Sequence, residues 1–171
     1  MDETAPVEIL LVEDAKFFRS VIKSQIEKQL GFKVTCAETY KEASEIIEEK
    51  GDKFFLALLD LNLPDAPRGE IVEYVIGKSI PSIVFSGHFD EELRDHLLQK
   101  NIIDYVVKDS PASIEYVIST VKRLYRNQFV KVLLTDDSKT ARYQMHGLLT
   151  RYKFQVLEAN DGLEALKILD K

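Results

Sequence analysis

Short apolar runs alternate with amphipathic stretches along the chain. The runs cover residues 9–12, 54–59, 82–85 and 102–107, with a less apolar one at 32–36. Each is too short for a helix and lacks strict polar–apolar alternation. That is the pattern of strands buried on both faces of a parallel sheet. Between the runs, Phe18, Val21, Ile22 and Ile26 fall on one face of a helix running to about Leu30. Ile114, Val117, Ile118, Val121 and Leu124 do the same in a helix ending near Asn127. Both sets follow the i, i+3, i+4, i+7 spacing of one buried stripe. Gly31 and Gly51 sit where helices should stop, and Pro64, Pro67, Pro81 and Pro111 fall in connections or at element starts. The pattern predicts five βα units, hence an α/β fold with a doubly wound parallel sheet and helices on both faces.

After the fifth helix the chain repeats itself. Ile9-Leu10-Leu11-Val12-Glu13-Asp14-Ala15-Lys16 resembles Val132-Leu133-Leu134-Thr135-Asp136-Asp137-Ser138-Lys139 at an offset of 123. Val34, Ala37, Glu42 and Ala43 match Val156, Ala159, Glu164 and Ala165 at an offset of 122, one deletion accounting for the change. The expected organisation is a complete domain over residues 1–128 and a partial second copy, two βα units long, over 129–171. A piece of that size is near the lower limit for a free-standing core, and its strands would lack the partners of a third strand. A truncated or proteolytic product is the expected explanation. Pairing with a copy from another chain through open strand edges is the alternative.

Composition narrows the functional classes. Hydrophobic residues make up 45% and charged residues 30%, a soluble globular balance. A formal net charge of -6 argues against nonspecific binding to nucleic acid or anionic membranes. Cys36 is the only cysteine, so no intrachain disulfide can form and a cytoplasmic location is expected. No signal-peptide core or membrane-length apolar run is visible. His88, His96 and His146 are scattered, which argues against zinc.

Four polar positions each follow an apolar strand. Glu13-Asp14 follows the first, Asp60 the third, Ser86 the fourth and Lys108 the fifth. In an open parallel sheet the carboxyl ends of the strands share one edge, where ligands bind. Carboxylates brought together there repel and call for a cation. All-oxygen ligation suits Mg²⁺. A carboxylate can also attack a phosphoryl donor to form an acyl phosphate, with metal and lysine stabilising the spreading charge.

Taken as a set, Leu11-Val12-Glu13-Asp14, Leu59-Asp60-Leu61-Asn62-Leu63-Pro64, Phe85-Ser86-Gly87 and Tyr105-Val106-Val107-Lys108 resemble the receiver domain of two-component response regulators over residues of about 8 to 127. The resemblance implies a flavodoxin-like sheet of order 2-1-3-4-5. It implies Asp60 as phospho-acceptor, and Mg²⁺ held by Glu13, Asp14, Asp60 and the backbone carbonyl of Asn62. Ser86 would be the switch hydroxyl, Lys108 its cationic partner, Gly87 the small residue beside the phosphoryl path, and Tyr105 the aromatic that swings inward. The implied partners are a sensor histidine kinase or phosphotransfer protein and an output domain or partner protein, for instance a diguanylate cyclase beyond residue 171. Asp136 and Asp137 would form only an incomplete second site. Three departures stand out: Lys108 is followed by Asp109 rather than proline, Ala15 replaces a commonly polar residue, and the loop 65–69 is one residue longer than is common.

An aspartyl-phosphate phosphatase of haloacid dehalogenase-like type is the competing function. Such enzymes need D-x-D after the first strand, where this chain has Glu13-Asp14-Ala15. A flavodoxin-like cofactor site would need a phosphate loop after the first strand, which is missing.

Overall fold

A computed structural model of the chain describes residues 6–100 and 102–170. Ten elements come first: β1 (Glu8–Val12), α1 (Lys16–Leu30), β2 (Lys33–Ala37), α2 (Tyr40–Lys50), β3 (Phe54–Leu59), α3 (Glu70–Gly77), β4 (Ser82–Ser86), α4 (Glu91–Gln99), β5 (Asp104–Val107) and α5 (Pro111–Asn127). Then follow β6 (Lys131–Thr135), α6 (Lys139–Arg151), β7 (Gln155–Ala159) and α7 (Gly162–Leu169). The first five strands form one parallel sheet of order β2-β1-β3-β4-β5, as the resemblance implied, and β6 and β7 pair in a separate two-stranded parallel sheet. Two compact units result, residues 1–119 and 120–171, the division falling within α5.

The five-stranded sheet is buried on both faces because its strands carry apolar residues at successive positions. Leu10, Val12, Ala57, Leu59 and Val84 share one core with Ala43 and Ile47 of α2, Ile71, Val72 and Val75 of α3, and Leu97 of α4. The alternate residues Ile9, Leu11, Ile83 and Phe85 point the other way, as the strand period requires, and are buried too. On α1, Ile22 and Ile26 are buried, and Phe18 meets Phe85 edge to face at 6.2 Å. The α5 stripe Ile114, Val117, Ile118, Val121 and Leu124 is buried along its length.

Two local readings change. Ser86 is the last residue of β4 rather than the first beyond it. The run 102–107 begins as a buried loop, and its strand starts only at Asp104. Gly31 ends α1 in the left-handed conformation (φ 71°) and donates to the Glu27 carbonyl, whereas Gly51 keeps right-handed helical angles (φ -39°) and leads into a single 3₁₀ turn. Only the first of these two glycines needs the freedom of glycine.

The β6–α6–β7–α7 segment fits a partial second copy of β1–α1–β2–α2. Ile9 pairs with Val34 and Val132 with Val156, so the two registers match under the sequence offsets. The N-terminal cap of α2 uses Thr39 on the Glu42 amide and Glu42 on the Glu38 amide. That of α7 repeats the arrangement, with Asp161 on the Glu164 amide and Glu164 on the Asn160 amide. Burial is where the copies part. Ile47 is 2% exposed, but its counterpart Leu169 is 69% exposed; Ile22 is 0% exposed and Met145 46%. Each such exposed side chain forgoes roughly 1.5–3 kcal/mol of burial.

The two glycines provide a test. Nothing lies within 4 Å of a Cβ added at Gly31, so Gly31→Ala meets only the left-handed backbone penalty, expected to be about 1 kcal/mol. Gly51→Ala keeps an ordinary contact of 3.6 Å to Ile47 and is expected to be neutral or stabilising. Urea unfolding midpoints of the two variants should move in this order.

Candidate functional site

The parallel sheet brings the ends of β1, β3, β4 and β5 to one edge. Backbone bonds fix the depth of each residue there: the Glu13 amide donates to the Ala37 carbonyl (3.0 Å), the Asp60 amide to Val12 (2.9 Å) and the Lys108 amide to Ser86 (2.7 Å). Glu13 and Asp60 are buried and Asp14 is exposed at the rim. One carboxylate oxygen from each of the three lies within 4.8 Å of the others.

Lys108 joins the cluster from β5. Its ammonium donates to Glu13 Oε2 at 2.5 Å and to Asp60 Oδ2 at 2.7 Å, and its side chain is 5% exposed. The remaining oxygens take backbone donors: the Ala15 amide reaches Glu13 Oε1 (3.3 Å) and the Asn62 amide reaches Asp60 Oδ1 (3.2 Å). Burial pushes the Glu13 carboxyl above the usual carboxylate range; Lys108 opposes this and the charge on Asp60 reinforces it. Three carboxylates against one ammonium leave the site short of positive charge. The donors are all oxygen, so a hard cation such as Mg²⁺ fits this set and a thiophilic metal does not.

The switch residues of the sequence reading lie beside this cluster. Ser86 is buried, and its Oγ accepts from the His88 amide (3.3 Å). The Tyr105 ring is buried, and its hydroxyl donates to the His88 carbonyl (2.8 Å). Ser86 and Tyr105 are therefore tied to the two ends of one residue. A Cβ on Gly87 would meet nothing within 4 Å, so the approach there is open. Asn62 is exposed, in the loop after β3. In the second unit, Asp136 accepts from the Ser138 amide (2.8 Å), and among the described residues no third acid, histidine or cysteine joins Asp136 and Asp137.

Two features were missed in the sequence. The Lys108 ammonium lies 5.3 Å from the ring centres of both Phe18 and Phe85, within cation–π range. Both residues read only as core apolar positions, and nothing in their spacing signals a role beside a lysine. Arg19 donates to the carbonyls of Glu13 and Asp14. Its signal was a lone arginine at the start of an apolar-striped helix, shortly after the acid pair.

The family model of the response regulator receiver domain matches residues 9–118. The chain belongs to this family. As a receiver domain of a two-component response regulator, it is a signal-transduction module with an acidic pocket, and receiver domains generally bind Mg²⁺ at such a site. A solved structure described as a two-component system response regulator/GGDEF domain protein is 36% identical, with a TM-score of 0.86 over 96% of this chain and 66% of that one. The HemR receiver domain from Leptospira biflexa is 25% identical, with a TM-score of 0.58 over 66% of this chain and 94% of that one. Among curated proteins, the two-component response regulator ARR12 of Arabidopsis thaliana is 25% identical over 72% of this chain and 20% of its own length. ORR26 of Oryza sativa is 23% identical over 100% of this chain and 30% of its own length. The receiver thus spans under a third of these curated relatives. Among the described residues no helix is long and apolar enough to cross a membrane.

The raised Glu13 carboxyl has a pH consequence. Between the unfolded value and the raised folded value, the native state holds the extra proton, so stability falls as pH rises through that window. In metal-free protein the urea midpoint should decline from the ordinary carboxylate range upward. Glu13→Gln should flatten that decline, and a profile unchanged by the substitution would contradict the burial account.

Proposed function

We propose that this receiver is switched by phosphorylation of Asp60, the phosphoryl group coming from a sensor histidine kinase or a phosphotransfer protein. The observation that carries this reading is the cluster of Glu13, Asp14 and Asp60 at the carboxyl edge of the sheet, with the Lys108 ammonium on Glu13 and Asp60. Asp60 has one oxygen held by Lys108 and the other by the Asn62 amide. Glu13, Asp14, Asp60 and the Asn62 carbonyl are the groups that would hold Mg²⁺. The ion would supply electrostatic stabilisation of the charge on the transferring phosphoryl oxygens.

In the transfer, an Asp60 oxygen bonds to phosphorus as the donor's bond to phosphorus breaks and the donor leaves with that electron pair. Lys108 keeps its ammonium beside the oxygens that gain charge. The Ser86 hydroxyl gives up its contact with the His88 amide and donates to a phosphoryl oxygen. Because Tyr105 is bonded to the same residue, that movement is passed to β5 and alters the β4–α4–β5 face seen by a partner or output domain.

Residues 1–128 then constitute the complete receiver, and 129–171 the first part of a second. The matched registers, the repeated α2 and α7 caps and the acid pair Asp136-Asp137 support that division. The 36% identity to a response regulator/GGDEF domain protein favours a GGDEF, diguanylate-cyclase-type output.

Incubation with acetyl phosphate and Mg²⁺ should add one phosphoryl group per chain, read by intact mass. Asp60→Asn should abolish the addition and Asp14→Asn should raise the Mg²⁺ concentration required. Addition that persists in Asp60→Asn would move the acceptor elsewhere.

A further inference from the structure

We infer that Arg19 is a positioning residue for the metal-binding acid pair, holding the Glu13–Asp14 backbone so that three mutually repelling carboxylates stay converged. The inference rests on the Mg²⁺ reading above. Arg19 sits on α1, one turn beyond the residues it grips. Its Nη1 donates to the Glu13 carbonyl and the Asp14 carbonyl, both at 2.8 Å, and its Nη2 pairs with Glu38 at 2.6 Å. The Arg19 side chain is 14% exposed, and its bond to the Glu13 carbonyl is the part-buried one of the three.

The grip matters because it takes the two carbonyls of the acid pair itself. Residues 13–15 lie between β1 and α1 without regular structure. The N-cap of α1 is Ala15, which supplies no side-chain cap. The Glu13 amide is bonded to the Ala37 carbonyl (3.0 Å) and the Ala15 amide to the Glu13 carboxylate (3.3 Å), but Arg19 is what takes the Glu13 and Asp14 carbonyls. Repulsion among Glu13, Asp14 and Asp60 pushes the loop outward. Two bonds from one planar guanidinium to consecutive carbonyls fix both peptide planes, and hence the directions in which both acid side chains leave the chain. Glu38, in the β2–α2 connection, fixes the far side of the guanidinium in turn.

The second unit repeats part of this arrangement. Arg142, at the offset of 123 from Arg19, donates to the Asp136 carbonyl at 2.7 Å and pairs with Glu158 at 3.4 Å. There the helix also has a side-chain cap, Ser138 on the Ala141 amide. In the first unit the cap is absent and the arginine carries the loop.

Ligand-orienting partners outside the coordination set are worth about tenfold or more in metal affinity. Binding of Mn²⁺, a hard-cation probe for Mg²⁺, can be followed by the electron paramagnetic resonance signal of the free ion, with folding checked by circular dichroism. Arg19→Met should raise the Mn²⁺ dissociation constant about tenfold in folded protein, with smaller rises in Arg19→Lys and Glu38→Gln. A merely structural arginine would lower the unfolding midpoint and leave that constant alone, so a folded Arg19→Met within about twofold of wild type overturns the inference. If Arg19→Met does not fold, wild-type affinity in both Arg19→Lys and Glu38→Gln overturns it equally. Wild-type protein that binds no Mn²⁺, or binds it equally after Asp14→Asn, would instead remove the metal reading and this inference with it.

Discussion

Two buried carboxylates share a single ammonium, with a third carboxylate at the rim, and the rest of the first unit is arranged around that crowding. Like charges about 4 Å apart cost on the order of 4 kcal/mol at an effective dielectric near 20. A chain would not assemble such a cluster unless other forces held it. Here the sheet does so: Glu13, Asp60 and Lys108 are pinned by backbone bonds to neighbouring strands whose side chains are buried on both faces. Burial first, and the charge on Asp60 after it, raise the affinity of Glu13 for a proton. The same imbalance favours a divalent cation.

Several details follow from keeping this cluster in place and responsive. The rings of Phe18 and Phe85 flank Lys108 and leave the carboxylates as its polar partners. Ser86 and Tyr105 meet at His88, one on its amide and the other on its carbonyl. Arg19 braces the loop between β1 and α1 that carries Glu13 and Asp14. The lengthened loop after β3 is also tied down, since Asp65 accepts from the Tyr40 and Lys41 amides at the start of α2. Those amides, Lys41 first, lower its pKa.

The second unit shows which parts of this design are local. Register, caps and the arginine grip recur wherever two βα units are present. A closed core does not recur: Met145 and Leu169 stay exposed where Ile22 and Ile47 are buried. Nor does a second cluster form around Asp136 and Asp137, because a site of this kind draws on strands beyond the second.

The sequence by itself determined the element types, the parallel sheet and the polar residues at the strand ends, because apolar runs and helical stripes are local signals. It also determined the repeat, whose offsets the strand registers reproduce. Gly31 and Gly51 both end helices as their positions predicted, but local signals do not tell that only Gly31 turns left-handed. Only the tertiary structure decided that Lys108 bridges Glu13 and Asp60, that Phe18 and Phe85 wall it in, and that Arg19 grips the acid pair. These contacts join residues up to 95 positions apart, or depend on which way a helix face turns. Spacing along the chain carries no record of either.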